Sequence, residues 1–312
     1  MHVLVTGGAG FIGSHSVEAL LADGARVTVL DNFSAGKRGN LPAPHAALTI
    51  IEGDIRDQAA VQSALTGSTH VLHLAAQVSV QVSVNQPVES CQHNVVGFLN
   101  VLDGARRTGV KRVVYASSAA VYGTPTSLPL DESSPVAPIS PYGLEKSIDD
   151  QYARLFHGLY GLSAIGMRYF NVYGPRQDPS SQYAGVISKF AAAITSGNPL
   201  RIFGDGGQTR DFVYVKDIAR MNLRALKTGN AAASGVCNIG TGRSVTLLEL
   251  VEALERCAGR GAERKFEPPA TGDIRESRMS PLRQQDWFGD RPATALDEGL
   301  AALLAHTRTA GG

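Results

Sequence analysis

Tyr142 and Lys146 stand four positions apart in the run Tyr142-Gly143-Leu144-Glu145-Lys146. On a helix, positions i and i+4 share a face. A lysine ammonium beside a tyrosine hydroxyl stabilises the phenolate. A free tyrosine has a pKa of about 10, and about 1.4 kcal/mol of differential stabilisation lowers a pKa by one. A nearby cation therefore moves the phenol toward a usable proton acceptor. Ser117-Ser118 follow a strand-like run at 112–116, at the carboxyl edge of a sheet if that run is a parallel strand. There Ser118 can hydrogen-bond a reacting oxygen and relay a proton. Base, cation and hydroxyl together fit proton transfer at an oxygen.

A second constellation opens the chain. Gly7-Gly8-Ala9-Gly10-Phe11-Ile12-Gly13 follows a strand-like run at 3–6 and starts a helix-like stretch at 14–22. Glycines let backbone turn tightly and approach a pyrophosphate, while the helix start offers free N–H groups and the positive end of its dipole. The spacing is GxxGxxG rather than GxGxxG. Asp31 ends the next strand, where an acid suits two ribose hydroxyls and repels a 2′-phosphate. That favours NAD over NADP, although Lys37 and Arg38 lie close by. Gly7, Gly10, Phe11, Ile12, Asp31 and Asn32 are therefore candidate cofactor residues. Asp54 and Ile55, after the third strand, are placed to flank an adenine, although Asp54 could instead cap a helix. Leu74, Ala75, Ala76 and Gln77, after the fourth strand, offer small residues beside the diphosphate.

These residues need a scaffold that gathers strand ends. Strand-like runs at 3–6, 26–30, 48–52, 70–74, 112–116 and 163–169 alternate with helix-like stretches at 14–22, 57–65, 89–108 and 142–157. Several strands are unbroken apolar runs, as expected where helices cover both faces. The rhythm predicts an α/β fold with a doubly wound parallel Rossmann sheet. Past Asn171 it loosens: a loop at 172–183, a helix at 185–195, strands at 200–203 and 211–215, an amphipathic helix at 245–259 with Thr246 near its cap, and a last helix near 295–305. The expected division is a cofactor domain of 1–171 plus about 212–243, and a smaller α/β substrate-binding lobe of 172–211 plus about 244–312.

Composition closes off other classes. Of 312 residues, 43% are hydrophobic and 18% charged, a globular balance. Lys plus Arg number 29 against 28 Asp plus Glu, so the net charge of +1 offers no general surface for nucleic acid or an anionic membrane. Three scattered cysteines, no leader-like opening and no apolar run near 18 residues point to a cytoplasmic protein. None of the histidines has metal-ligand spacing, and His70 and His73 read as neighbours of the core or cofactor.

The motifs together resemble the extended short-chain dehydrogenases/reductases, and within them the UDP-hexose 4-epimerases. The resemblance rests on GGAGFIG at 7–13, HLAAQ at 73–77, SSAAVYG at 117–123, YGLEK at 142–146, RYFNVYGPRQDP at 168–179, GDGGQTRDFVYV at 204–215 and GDIRES at 272–277. It implies tightly held NAD, a UDP-sugar substrate and inversion at C4 through a 4-keto intermediate. Ser118, Tyr142 and Lys146 match the family's catalytic positions. Asn94, Ser117 and Tyr169 join the cofactor contacts, and Lys146 also matches a contact to the nicotinamide ribose. Asn171, Arg210 and Arg275 match contacts to the substrate diphosphate, Asp273 an acid at the uridine ribose, and Val186, Arg201 and Phe203 the frame of the uracil. Ser79 stands in a segment that touches the sugar. That segment, VSVQVSV at 78–84, alternates like a strand but falls where the family has an active-site loop. Helices at 89–108 and 142–157 resemble those that build a four-helix homodimer interface.

Three related chemistries are weighed on residues. Dehydratases and decarboxylating relatives carry an acid just after the catalytic serine or threonine, where Ala119-Ala120 stand here. Uronate 4-epimerases usually have threonine in place of Asn171. Reductase-epimerases show a cysteine and histidine at the substrate, whereas Cys91 and His93 fall on a predicted helix. A non-catalytic NAD(H) sensor would have no need of Ser118, Tyr142 and Lys146 together. Ser277 falls where some family members carry a bulky aromatic and others a small residue, so a 2-acetamido sugar is expected to fit as well as UDP-Glc/UDP-Gal.

Overall fold

The computed structural model describes residues 1–178, 185–230, 233–269 and 274–310. Its first half comprises β1 (His2–Thr6), α1 (Phe11–Ala22), β2 (Arg26–Asp31), β3 (Leu48–Glu52), α2 (Gln58–Ala64), β4 (His70–His73), α3 (Val80–Asn85), α4 (Pro87–Cys91), α5 (Gly97–Arg107), β5 (Arg112–Ser118), α6 (Pro141–Tyr160) and β6 (Ser163–Tyr169). The second half adds β7 (Asn171–Tyr173), α7 (Val186–Ser196), β8 (Leu200–Phe203), β9 (Thr209–Arg210), β10 (Phe212–Tyr214), α8 (Val215–Lys227), β11 (Gly235–Ile239), β12 (Val245–Thr246), α9 (Leu247–Ala258), β13 (Arg264–Glu267), α10 (Leu282–Phe288) and α11 (Leu296–Ala310).

Seven strands form one parallel sheet in the order β11-β6-β5-β4-β1-β2-β3. The chain winds outward one way from β1 and the other way from β4, so the strand order reverses between these two. In doubly wound sheets the crevice beyond such a reversal holds the ligand. Apolar side chains fill both faces. Val17 and Leu20 of α1 meet Ile218 and Met221 of α8 over one face. Phe98, Val101 and Leu102 of α5 cover the other, with Val61 of α2 and Ala153 of α6. A separate apolar cluster joins Ile187 and Phe190 of α7, Leu250 and Leu254 of α9 and Leu300 and Leu303 of α11. The doubly wound parallel sheet expected from the motif rhythm is therefore present.

Local chemistry sets the helix ends that matter. Ser140 caps α6 by accepting the Gly143 N–H, Pro141 occupies the first turn, and Gly161 ends the helix in the left-handed region at φ 70°. Thr246 and Glu249 form a reciprocal capping box at the start of α9. Asp57, and not Asp54, caps α2.

Four sequence expectations are corrected. Segment 78–84, expected as a loop despite its strand-like alternation, is mostly helical: Ser79 caps α3, and the helix exposes Val80 and Val84 while burying the polar Ser83. The single helix expected at 89–108 is interrupted by a π-helical turn at Gln92–Val96. Such a turn admits one surplus residue, and here it turns Asn94 inward. The 172–183 loop begins as β7, and the strand expected at 211–215 ends at Tyr214, since Val215 opens α8. Strand β11 and helices α8 and α10 add to the elements that the sequence pattern predicts. In α10, Trp287 and Phe288 pack with the sheet cluster.

One buried ion pair ties α6 to the sheet. Arg168 Nε donates to Asp150 Oδ2 at 3.0 Å, Tyr115 Oη donates to Asp150 Oδ1 at 3.0 Å, Arg168 Nη1 donates to Tyr122 Oη at 2.9 Å, and Tyr122 Oη donates to Asn238 at 2.7 Å. Removing one member leaves an unpaired buried charge. Asp150→Ala is therefore expected to destabilise the protein by about 3–5 kcal/mol. Urea unfolding measures this, and a loss below about 1 kcal/mol would contradict the assigned role.

Candidate active site

The glycine turn after β1 is shaped by close backbone contact. Gly7 has φ 69°, and a Cβ there would lie 2.7 Å from the Ala75 nitrogen across the strand-order reversal. A Cβ on Gly13 would strike the Gly7 carbonyl oxygen. Gly10, at the N-cap of α1, has no side chain to satisfy the first-turn N–H groups. The turn thus presents bare backbone donors at a helix start, the arrangement a diphosphate needs. Phe11 and Ile12 begin α1 and also lean on the second apolar cluster.

Asp31 accepts from the Ala9 N–H at 2.9 Å and from the Phe33 N–H at 2.9 Å, one on each carboxylate oxygen. The carboxylate is thereby fixed with lone pairs to spare for ribose hydroxyls. Lys37 pairs with Asp178 and Arg38 with Glu52, so both nearby cations carry carboxylate partners. Asn32 donates to Asp54 at 2.9 Å, and Arg56 grips the same carboxylate with two nitrogens. Those hydrogen bonds hold the Asp54 carboxyl well below the usual range, against burial. The Ile55 side chain is core, and its carbonyl accepts from Asn100.

Beyond β4, Leu74 N–H donates to the Thr6 carbonyl and Ala75 N–H to Thr6 Oγ1. Ala76 is half-buried beside them. Asn94 accepts from the Gln77 N–H at 2.8 Å and donates to the Gln77 carbonyl at 2.9 Å and to Glu145 Oε2 at 2.6 Å. Ser90 Oγ also donates to Glu145 Oε2. Asn94 thus links the cofactor-side loop to the helix bearing Tyr142. The Tyr169 hydroxyl donates to Asn222 of α8 at 2.6 Å.

Tyr142 stands half-buried in the first turn of α6, and its N–H donates to Ser83 Oγ at 3.1 Å. Gly143 makes the juxtaposition with Ser118 possible. A Cβ there would lie 2.6 Å from the Ala120 carbonyl oxygen, in the short 3₁₀ turn Ala119–Tyr122 that Ser118 caps. Ser118 Oγ accepts the Ala120 N–H at 3.1 Å, while Ser117 is buried. Lys146 is buried one turn along α6, with its ammonium 3.1 Å from Asp149 Oδ2. Burial opposes the Lys146 charge, but Asp149 and Tyr142 outweigh it and its pKa is raised.

In the second half, β7 pairs with β10, which puts Asn171, exposed at the start of β7, beside Phe212. Arg210 on β9 pairs with Val245 of β12 and donates to the Thr209 carbonyl. Asp211, buried next to it, accepts from the Thr241 N–H and hydroxyl and the Gly242 N–H. Arg275 forms a two-pronged pair with Asp205 at 2.7 and 3.0 Å, and its carbonyl accepts from the Thr209 N–H. Arg201 pairs likewise with Glu267. Phe203 is exposed at the end of β8, Val186 opens α7, and Ser79 caps α3. Ser277 is buried between Arg275 and Met279, whose neighbours hold it on both sides. Asp273 lies outside the described residues.

Sequence reasoning missed Thr6, Ser83, Glu145 and Asp149. For Asp149 a signal existed: it lies at i+7 from Tyr142, on the same helix face. Among the described residues no group of His, Cys, Asp and Glu could hold a metal ion, and no helix is long and apolar enough to cross a membrane.

Known proteins share this shape and much of this sequence. The sequence profile of the NAD dependent epimerase/dehydratase family matches residues 3–240. A UDP-glucose 4-epimerase of Mycolicibacterium smegmatis is 41% identical over 317 aligned positions, covering 99% of each chain. The structure of a UDP-glucose 4-epimerase of Thermotoga maritima with UDP-glucose superposes with a TM-score of 0.94 at 38% identity, covering 100% of both chains. That of a UDP-N-acetylglucosamine 4-epimerase of Methanobrevibacter ruminantium, in complex with UDP-N-acetylmuramic acid, gives a TM-score of 0.94 at 39% identity, covering 99% of this chain and 98% of that one.

Asp31→Ala is expected to weaken NAD binding by about 10- to 100-fold, the loss of hydrogen bonds to a charged acceptor, and to narrow the preference over NADP. Calorimetric titration of cofactor-stripped protein checks both. Unchanged affinity would remove Asp31 from the cofactor site.

Proposed function

The chain belongs to the NAD dependent epimerase/dehydratase family, and from that premise we propose that this NAD-dependent isomerase inverts C4 of a UDP-hexose. The observation that carries the reading is the face of α6. Tyr142 and a buried, charged Lys146 share it, and the missing side chain of Gly143 lets it close on the turn after Ser118.

In this reading Lys146 holds Tyr142 as the phenolate before each turnover, and that phenolate takes the proton of the sugar 4-OH as hydride leaves C4. Ser118 hydrogen-bonds the same oxygen. Bound NAD supplies a reversible hydride acceptor for the sugar C4. The 4-keto sugar then turns and presents its other face, and Tyr142 returns the proton. Gly7, Gly10, Asp31, Ala75 and Gln77 hold the cofactor across the strand-order reversal. The lobe built on α7, α9 and α11 takes the nucleotide, with Asn171, Arg210 and Arg275 at the diphosphate. Arg275 already presents its planar fork to a carboxylate. Exposed pairs of that kind contribute little, so a phosphate can displace Asp205 at small cost.

Two residues bear on the reaction and on the sugar. Ala119-Ala120 follow Ser118 with no acid to protonate a leaving hydroxyl. Ser277 is small and buried, at the position where the resemblance allows either a bulky aromatic or a small residue. We therefore assign UDP-GlcNAc/UDP-GalNAc to the substrates alongside UDP-Glc/UDP-Gal.

NMR of the protein with UDP-Glc, UDP-GlcNAc, UDP-GlcA and dTDP-Glc in turn is expected to report C4 epimers of the first two without added reductant. Tyr142→Phe should lower kcat by about 10²- to 10⁴-fold with NAD still bound; near-full turnover in that variant would refute the mechanism. Ser277→Tyr should lose N-acetylated turnover and keep the non-acetylated reaction. Equal losses would show that Ser277 does not set the choice.

A further inference from the structure

Tyr142, Lys146 and Asp149 occupy positions i, i+4 and i+7 of α6, one continuous face. The Lys146 ammonium lies 3.1 Å from Asp149 Oδ2, with side chains 3% and 1% exposed. Asp149 Oδ1 has no hydrogen-bond partner. A carboxylate that deeply buried would ordinarily collect several donors. This one faces the lysine and little else. We propose that Asp149 is a positioning residue: it holds the Lys146 ammonium and offsets part of its charge, and so sets the pH at which Tyr142 ionises.

The surrounding charges leave this role to Asp149. On α6 itself, Glu145 accepts from Ser90 and Asn94, and Asp150 pairs with Arg168 of β6 and accepts from Tyr115 of β5. His73 of β4 is buried, its Nδ1 hydrogen-bonded with Thr6, and burial together with Lys146 lowers its pKa to about 3, so it stays neutral. Cys91 of α4 is raised by burial and by Glu145 and Asp149, and is neutral as well. Burial raises Asp149 against the pull of Lys146, the behaviour of a carboxylate with few donors.

The consequence rests on the reading of Tyr142 as the base. In an epimerase the tyrosine phenolate accepts a proton from the sugar 4-OH and the phenol so formed gives it back within one turnover, while hydride leaves C4 and returns, with no net oxidation. An uncompensated lysine would favour the phenolate too strongly for the return step. A carboxylate behind the lysine brings the two steps closer to balance.

The test uses the NAD-bound enzyme as wild type, Asp149→Asn, Asp149→Glu and Tyr142→Phe. Ultraviolet titration of tyrosinate, with the Tyr142→Phe trace subtracted, reads the ionisation of Tyr142 directly. The pH profile of kcat is recorded in parallel. Removing the negative charge should move both the titration and the acid limb to lower pH by about one pH unit, while Asp149→Glu stays near wild type. Asp149→Ser replaces the asparagine variant if that does not fold. A charge-removing variant whose titration is unchanged or moves upward overturns the proposal. Full activity in Tyr142→Phe would instead overturn the underlying reading of the base, so the two failures are separable.

Discussion

The buried pair between Asp150 and Arg168 is the constraint on which the active face depends. Two charges taken out of water must find nearly all their hydrogen bonds inside the protein. Here Tyr115, Tyr122 and Asn238 complete the set. These partners come from β5, the turn after it, β6, β11 and α6, so satisfying one charge pair fixes five segments at once. A helix held by apolar contacts alone could slide or rotate by a fraction of a turn at modest cost. Asp150 lies one turn past Lys146 on α6, so with Asp150 locked the helix cannot rotate, and Tyr142 and Lys146 inherit that rigidity.

The second determinant is backbone proximity. At Gly7 against Ala75, and at Gly143 against Ala120, two main chains meet at distances that exclude any side chain. The first contact closes the crevice where the strand order reverses. The second brings the start of α6 to the turn after Ser118. Asn94 then spans the two regions, with one amide reaching both Gln77 and Glu145. The loop after β4 and the helix that carries Tyr142 are therefore parts of one hydrogen-bonded assembly.

Much of this was legible in the sequence, for a physical reason. The glycine turn, Asp31, Ser118 and the Tyr142/Lys146 pair each sit where a strand ends or a helix begins, and such places have local residue grammar. The strands of the main sheet were readable as apolar runs up to β6. Strand β11 was missed, although GVCNI is a fair strand run, because it follows a long excursion away from the main sheet after β6. Helix α8 carried a readable signal in Val215, Ile218, Met221 and Ala225. Neither the alternation nor the loop expected at 78–84 gave its helix, where a serine cap and the buried Ser83 outweigh the β-propensity of valine. The inward turn of Asn94 was not readable, because its partners are distant in sequence. The same holds for Tyr169, whose hydroxyl finds Asn222 on a helix that comes much later.

The π-helical turn at Gln92–Val96 has a bearing on how sequences of this kind should be compared. It stores one residue more than a regular helix would need. Each residue of an α-helix advances the chain by roughly 100°. A homologue lacking that residue would keep α5 against the sheet and rotate the preceding α4 by about that angle, carrying Ser90 away from Glu145. A one-residue gap within 92–96 would thus mark a change of helical phase, with a different partner for Glu145, rather than a harmless shortening of a surface helix.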